Sequence, residues 1–403
     1  LWWGPFPNEK DGGAIVHYYL LQMMNYLSPR HEFYGIPKVP EELNPRELPF
    51  INFKSIKYEE LETEEKIRPC YDEIPTFMTE QQIPLLISFH VPWEYFPIVN
   101  HIHNVGAKML IHQTIHWETD VVFKSSMLNE IDSWVAPTKW AQGVLATRGK
   151  INAEKIKYIP HSVNSEKFHP HKTWLRTTFN ARPDQKIILF VGRCSLAKGA
   201  HQLISIIRPL IKDYDCIFVI RAGTFAGIDR SFEIGYIFDK MAKQNVSNIF
   251  FLPNWYPASY MEELMASCDI LVQPSGHEGF DLPVIEAMSC EKPVALTRIP
   301  NHEEIMGPDR QCGIFMEPKE IAEWINDKKQ AILVPSSDVI GGALRFLLDN
   351  PDECQAMGKN GRKRVKQEYE LAKISDAWLN HIEEICPEDY DMNKEAQKRL
   401  LNQ

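Results

Sequence analysis

The 403 residues are enough for about two domains, each able to bury its own core. Hydrophobic residues make up 44% and charged residues 24%, which excludes a disordered or fibrous chain. The net charge of −10 argues against general nucleic-acid binding, and no apolar run reaches the ~18 residues of a membrane span.

Eight cysteines are scattered, none closer than 22 residues to the next, so there is no disulfide framework. A reducing compartment and a cytoplasmic location are expected, and no signal-peptide pattern is legible. Residues 146–186 carry nine Lys/Arg against three Asp/Glu. That stretch is the candidate for peripheral contact with anionic lipid or phosphate; a solvated linker is the simpler reading.

In chain order, LWWG at the start reads as a strand, and a polar loop follows to Gly12-Gly13. A helix is predicted over Ala14 to Leu27 from its apolar spacing. Short apolar runs at 84–89 and 108–111 have the character of buried parallel strands, with a helix between them at 92–105. Strands are also expected at 133–136 and 157–159. Pro-rich, polar residues 160–175 make a natural boundary. A second β/α run follows: strands at 186–191, 216–220, 249–252 and 269–273, and helices at 200–211 and 258–267. Residues 335–370 and the last 30 are read as helical. The alternation predicts doubly wound parallel sheets.

The stretch with most chemistry is 274–294, PSGHEGFDLPVIEAMSCEKPV. Glu278 falls in a loop after a strand. Glu286 falls in the first turn of the next helix, with Pro283 suited to its first position. In open α/β sheets ligands bind outside the carboxyl ends of strands, and a carboxylate there can hold a ribose diol. Two solvated surface glutamates are the plain alternative. Upstream, Val191-Gly-Arg-Cys-Ser-Leu-Ala-Lys-Gly199 joins a strand to a helix. It lacks P-loop spacing, yet Gly192, Gly199, Arg193, Lys198 and a helix N-terminus are suitable parts for a diphosphate site.

PS-x-x-EGF-x-LPVIEAM-x-x-x-x-PV closely resembles the donor-site signature of retaining glycosyltransferase family 4, whose members have the GT-B fold. The Arg193…Lys198-Gly199 element resembles that family's diphosphate loop. Gly12-Gly13 resembles its glycine loop, and Val163, Phe168 and Pro170 match its interdomain segment. The resemblance implies two Rossmann-like domains facing across a cleft. Residues 1–165 would bind the acceptor, joined by helices 376–403 crossing back, and 170–375 would bind the donor. It implies a nucleotide-sugar co-substrate, no other cofactor, and a carbohydrate, lipid-linked or other hydroxyl acceptor. The donor-binding set is Gly12, Gly13, Arg193, Lys198, Gly279, Phe280, Leu282 and Glu286. The catalytic set is Glu278, His116, Lys198 and Arg193, with His116 as the family's sugar-contacting histidine. Transfer with retention and without metal is expected. A nucleotide-sugar epimerase of the same fold and a non-catalytic nucleotide-sugar-binding subunit are the alternatives.

Other candidates are weaker. His112 is expected in the core, His90 near a strand end, and His101 and His103 in solvent on a helix. Asp213-Tyr-Asp215 and Asp389-Tyr-Asp391 have the spelling of a metal motif. Neither follows an apolar strand, so turn or cap roles are expected. The nucleobase is placed by position near Arg221–Thr224 and 252–256, where Trp255 or Tyr256 would stack. Three departures from the family stand out: Asp281 and Glu291 where Gly is usual, and 298–304 without paired glycines.

Overall fold

The structure, a computed structural model, describes residues 73–89, 96–115, 126–223, 231–324 (apart from 246 and 255) and 330–402. It also describes the backbone of short strands at 2–4, 33–37, 51–53, 58–60 and 67–69. Gly12, Gly13, His90, His116, Thr224 and Trp255 lie outside the described residues. The chain forms two compact units, Leu1–His161 with Leu371–Gln403, and Ser162–Glu370.

The first unit holds a seven-stranded sheet. Its strands are β1 (Trp2–Gly4), β2 (Phe33–Pro37) and β3 (Ile51–Phe53), then β6 (Leu85–Phe89), β7 (Lys108–His112), β8 (Ser133–Ala136) and β9 (Ile156–Tyr158). β4 (Tyr58–Glu60) and β5 (Ile67–Pro69) form a separate antiparallel ribbon. The sheet order is β3-β2-β1-β6-β7-β8-β9, with every pairing parallel. Continuous burial of Met109 to His112 and of Ser133 to Ala136 fits strands covered on both faces. Its helices include α1 (Glu73–Glu80), α2 (Phe96–Asn104) and α3 (Lys139–Thr147). Trp134 is fully buried in the core and donates its indole N–H to the Leu128 carbonyl at 3.3 Å.

His103 corrects the expectation of a solvated helix residue. It is 1% exposed, and its Nε2 lies 2.8 Å from Asp132 Oδ2. Asp132 also accepts the Met109 N–H at 2.8 Å. Burial raises the Asp132 pKa, but His103 and the Met109 amide outweigh it, and the net shift is downward. The ring faces inward because the helical period groups it with Val99 and Ile102, both buried. His101 is exposed. His112 is buried, its ring stacked 5.8 Å from that of Trp378 and tilted against His161 at 5.2 Å.

The second unit's sheet uses β10 (Ile187–Arg193), β11 (Ile217–Gly223), β12 (Ile249–Leu252), β13 (Ile270–Gln273), β14 (Val294–Thr297) and β15 (Gly313–Met316). Their order is β12-β11-β10-β13-β14-β15, all parallel. This is the Rossmann order 3-2-1-4-5-6, whose direction reverses between its first and fourth strands. The switch point therefore lies between β10 and β13.

Helices of this unit are α4 (Leu175–Thr178), α5 (Ala200–Tyr214), α6 (Ser231–Gln244), α7 (Ala258–Ser267), α8 (Leu282–Ser289), α9 (Pro300–Met306), α10 (Ser337–Asp349) and α11 (Pro351–Glu368). The helix expected over 335–370 is thus two, broken at Asn350, because Pro351 opens α11 and disfavours helical backbone before it. α11 closes on the end of α8 through Gly358. A Cβ there would lie 2.0 Å from the Glu291 carbonyl oxygen.

Eight of the described strands have no counterpart among the expected elements: β2 to β5, β14, β15, and an antiparallel hairpin of β16 (Glu320–Trp324) and β17 (Gln330–Val334). The chain ends in α12 (Leu371–Ile385) and α13 (Met392–Asn402), which belong to the first unit. There Tyr390 donates to the Gly106 carbonyl at 2.8 Å, and Lys108 Nζ to that of Ile385 at 2.9 Å.

Both Asp-Tyr-Asp motifs lie at helix ends. Asp215 follows α5 in left-handed backbone, φ 48°, and Asp391 accepts from the Lys394 N–H at the start of α13. Among the described residues no group of three or more His, Cys, Asp or Glu is placed to hold a metal. No described helix is long and apolar enough to cross a membrane.

Candidate functional site

Two loops leave the carboxyl ends of β10 and β13 at the switch point. The first runs from Cys194 to Gly199 into α5. The second runs from Pro274 to Asp281 into α8. The Gly276 N–H donates to the Ala197 carbonyl at 2.9 Å and ties them together.

Gly199 makes this approach possible. It caps α5 with φ 64°, and a Cβ on it would fall 2.2 Å from the Pro274 carbonyl oxygen. Gly199→Ala combines a left-handed strain with a backbone clash. It is expected to destabilise the protein by about 1–3 kcal/mol or more, measured as a lowered urea midpoint, and to separate the two loops.

Lys198 and Glu278 meet across the loops. Lys198 Nζ lies 2.5 Å from Glu278 Oε1, with Glu278 only 6% exposed. Burial pushes the Glu278 carboxyl up, but the Lys198 ammonium and the nearby His302 oppose it and hold the group at about 2. A charged carboxylate is thus maintained in a nearly dry site. Arg193 is the last residue of β10 rather than a loop residue, paired in register with Gly223 and half-buried.

Gly279 and Phe280 are buried, and the Phe280 ring meets Tyr369 edge-on at 5.8 Å. Leu282 is the first residue of α8 and Pro283 the second. Glu286 therefore begins the second turn, not the first, and is 4% exposed. The bland reading of both glutamates as surface groups is excluded by that burial.

Further residues stand around these groups, and of them Asn301 and His302 were not singled out individually by the sequence. Arg221, near the end of β11, is half-buried. Burial draws its pKa down, while the Glu286 carboxylate and Tyr256 oppose the shift. Tyr256 stacks on Tyr260 with centroids 4.3 Å apart. Asn301 Nδ2 donates to the Glu278 carbonyl. Asp281, buried, takes Gln273 Nε2 at 3.0 Å and faces His302 Nε2 at 3.0 Å.

The unusual residues have a backbone meaning. Asp281 has φ 91° and Glu291 φ 60°, the conformations that favour glycine. They flank α8 at its two ends. No long-range signal in the sequence marks Asn301 or His302; their partners lie 23 and 21 positions away.

Comparison with known proteins extends these observations. Residues 173–330 match the family model for glycosyl transferases group 1. The chain is 21% identical over 259 residues to MMP alpha-(1->4)-mannosyltransferase of Mycolicibacterium hassiacum, covering 64% of this chain and 56% of that protein. It is 27% identical over 239 residues to alpha-galactosylglucosyldiacylglycerol synthase of Streptococcus pneumoniae, covering 58% and 56%. The chain thus spans little more than half the length of these relatives.

Among solved structures, a glycosyltransferase from Rickettsia africae superimposes with a TM-score of 0.74 at 16% identity, covering 95% of this chain and 97% of that one. HepE of Anabaena, solved with UDP and glucose, gives 0.73 at 13% identity, covering 95% and 98%. The chain has the GT-B fold of these glycosyltransferases, and its residues 173–330, which contain Arg193, Lys198, Glu278 and Glu286, match the glycosyl transferases group 1 family.

Proposed function

We propose that the protein transfers a sugar from a nucleotide-sugar donor to a hydroxyl acceptor, with retention at the anomeric carbon and without a metal. The observation that carries this reading is the buried Lys198–Glu278 pair at the switch point, inside the family-matched segment. A nucleotide-sugar offers both halves of that pair a new partner: diphosphate for the cation and sugar hydroxyls for the carboxylate. The acceptor is a carbohydrate or lipid-linked hydroxyl.

Breaking the glycosyl–phosphate bond leaves positive charge on the sugar and negative charge on the departing diphosphate. Arg193, Lys198 and the N-terminus of α5 supply fixed positive charge for the leaving group. Glu278 holds the sugar, ionised beside the developing cation. Glu286 accepts from the ribose hydroxyls. In a same-face reaction the leaving phosphate takes the acceptor proton as the new glycosidic bond forms, so no base from the chain is needed.

The test is a thermal-shift screen of nucleoside diphosphates. One of them, UDP first, is expected to raise the melting midpoint, and the corresponding nucleotide-sugar to be turned over when an acceptor is supplied. Release of nucleoside diphosphate without any acceptor would replace transfer by epimerisation.

Metal independence has its own check. Turnover should persist after exhaustive treatment with EDTA. Complete loss, restored by Mg²⁺ or Mn²⁺, would show that the cations Arg193 and Lys198 do not suffice.

A further inference from the structure

Asp281 is held in a conformation that most side chains avoid. A non-glycine residue at φ 91° is strained and persists only where its surroundings hold it there. Here they do. Gln273 Nε2 donates to both Asp281 oxygens, at 3.0 and 3.3 Å, and His302 Nε2 stands 3.0 Å from Oδ2. His302 is fully buried on α9, and Asp281 is 7% exposed.

The proton count follows from the partners. His302 Nδ1 faces the Thr297 carbonyl at 2.8 Å, so that nitrogen must carry a hydrogen and donate. Nε2 then faces a carboxylate oxygen. A hydrogen bond forms there only if one more proton lies between them, on the ring or on the carboxyl. Without it, a lone pair would face an anion in a dry site.

The same short helix also grips Glu278. Asn301, the neighbour of His302, donates to the Glu278 carbonyl. α9 therefore holds both ends of the turn 278–281: its start by the backbone, its end by the Asp281 side chain.

We propose that Asp281 and His302 act as one unit, a buried pair sharing a single proton, which positions the Glu278 turn and keeps the charge around Glu278 balanced. With that proton, the cluster of Lys198, Glu278, Asp281 and His302 is neutral in total. Without it the cluster carries one uncompensated negative charge beside Glu278. The groups acting on the Asp281 carboxyl agree with this. Burial and Glu278 raise it, opposed by His302 and Lys198, and the net direction is upward. The positioning role rests on the proposed sugar transfer; the shared proton does not.

The experiment has two arms. In the first, ¹⁵N-labelled full-length protein is examined by NMR. The His302 ring should show a hydrogen on Nδ1 and a second, exchange-protected proton in the Nε2–Oδ2 bond. A ring with a bare Nε2 against Asp281 would overturn the proposal.

The second arm is a double-mutant cycle of Asp281→Gly and His302→Leu. Each single change strands the other partner in a buried site. Each should lower the melting midpoint by about 4–8 °C, while the double variant should lose no more than the worse single one. Additive losses would overturn the pair as a unit. Asp281→Asn and His302→Gln, which retain a hydrogen bond, keep the cycle readable if the harsher variants fail to fold. Calorimetry with UDP and UDP-glucose as probes reads positioning. The single variants should lose about tenfold in affinity for UDP-glucose relative to UDP, a coupling of ordinary size. An unchanged ratio would leave the pair a structural element only and overturn its positioning role. Where the screen selects another nucleoside diphosphate, it and its glucose ester replace these probes; if wild-type protein binds none of them, the sugar-transfer reading fails, while the proton and the cycle still decide the pairing.

Discussion

Lys198→Ala is expected to cost about 2–4 kcal/mol of transition-state stabilisation, the scale for removing one preorganised electrostatic donor. In steady-state kinetics this appears in kcat, because the charge Lys198 opposes is largest when the diphosphate departs. Arg193→Ala should lose on the same scale. Near wild-type turnover in either variant would contradict the assignment.

The Lys198 variant has a second signature. In the native protein burial raises the Glu278 carboxyl, and Lys198 is the first of the influences that bring it down to about 2. Without the ammonium the carboxyl must rise. The kcat–pH profile should therefore gain an acid limb that the wild type lacks. The stability sign agrees. A depressed carboxyl contributes stability that is complete above its unfolded value and lost as pH falls through its folded one. Wild-type protein should surrender this contribution between about pH 4.5 and 2, and the variant should lack it at neutral pH.

The two glutamates should separate by role. Glu286→Gln keeps the shape and removes the charge, so affinity for nucleoside diphosphate should fall by about 1.5–3 kcal/mol, the scale for a hydrogen bond to a charged group. Glu278→Gln should leave that affinity nearly unchanged and cut kcat strongly, because it touches the part whose charge changes in the transition state. Its amide also faces Lys198 without a counter-charge, so the 2.5 Å contact should lengthen. Calorimetry with the diphosphate, beside rates, decides. If Glu278→Gln loses diphosphate binding while Glu286→Gln keeps it, the roles are reversed.

Much of the fold was legible because its signal is local. Runs such as 187–191 and 217–220 are apolar for their whole length, as parallel strands buried on both faces must be. The loops after β10 and β13 were legible for the same reason, since the sequence pattern changes sharply at Gly199 and Pro274. What escaped depends on distant partners. His103 looks solvated until Asp132 is placed beside it. Asp281 looks like an oddity until His302 arrives from the next helix. The hairpin of β16 and β17 carries no clear alternation. The start of α8 was misjudged by one residue because Pro283 is suited to either of the first two positions, and Glu286 moved with it into the second turn.

The Lys198–Glu278 contact also bears on how the protein would let go of its product. In the proposed reaction the nucleoside diphosphate that remains after transfer competes for Lys198 but offers nothing to Glu278. Keeping the product bound means leaving a dry carboxylate without its counter-ion, whereas release lets the two side chains close on each other again. The intact donor incurs no such penalty, because its sugar replaces what Glu278 gives up. The empty site thus acts as an internal competitor that weakens product more than substrate. Turnover should then be less sensitive to accumulating nucleoside diphosphate than the diphosphate contacts alone would suggest.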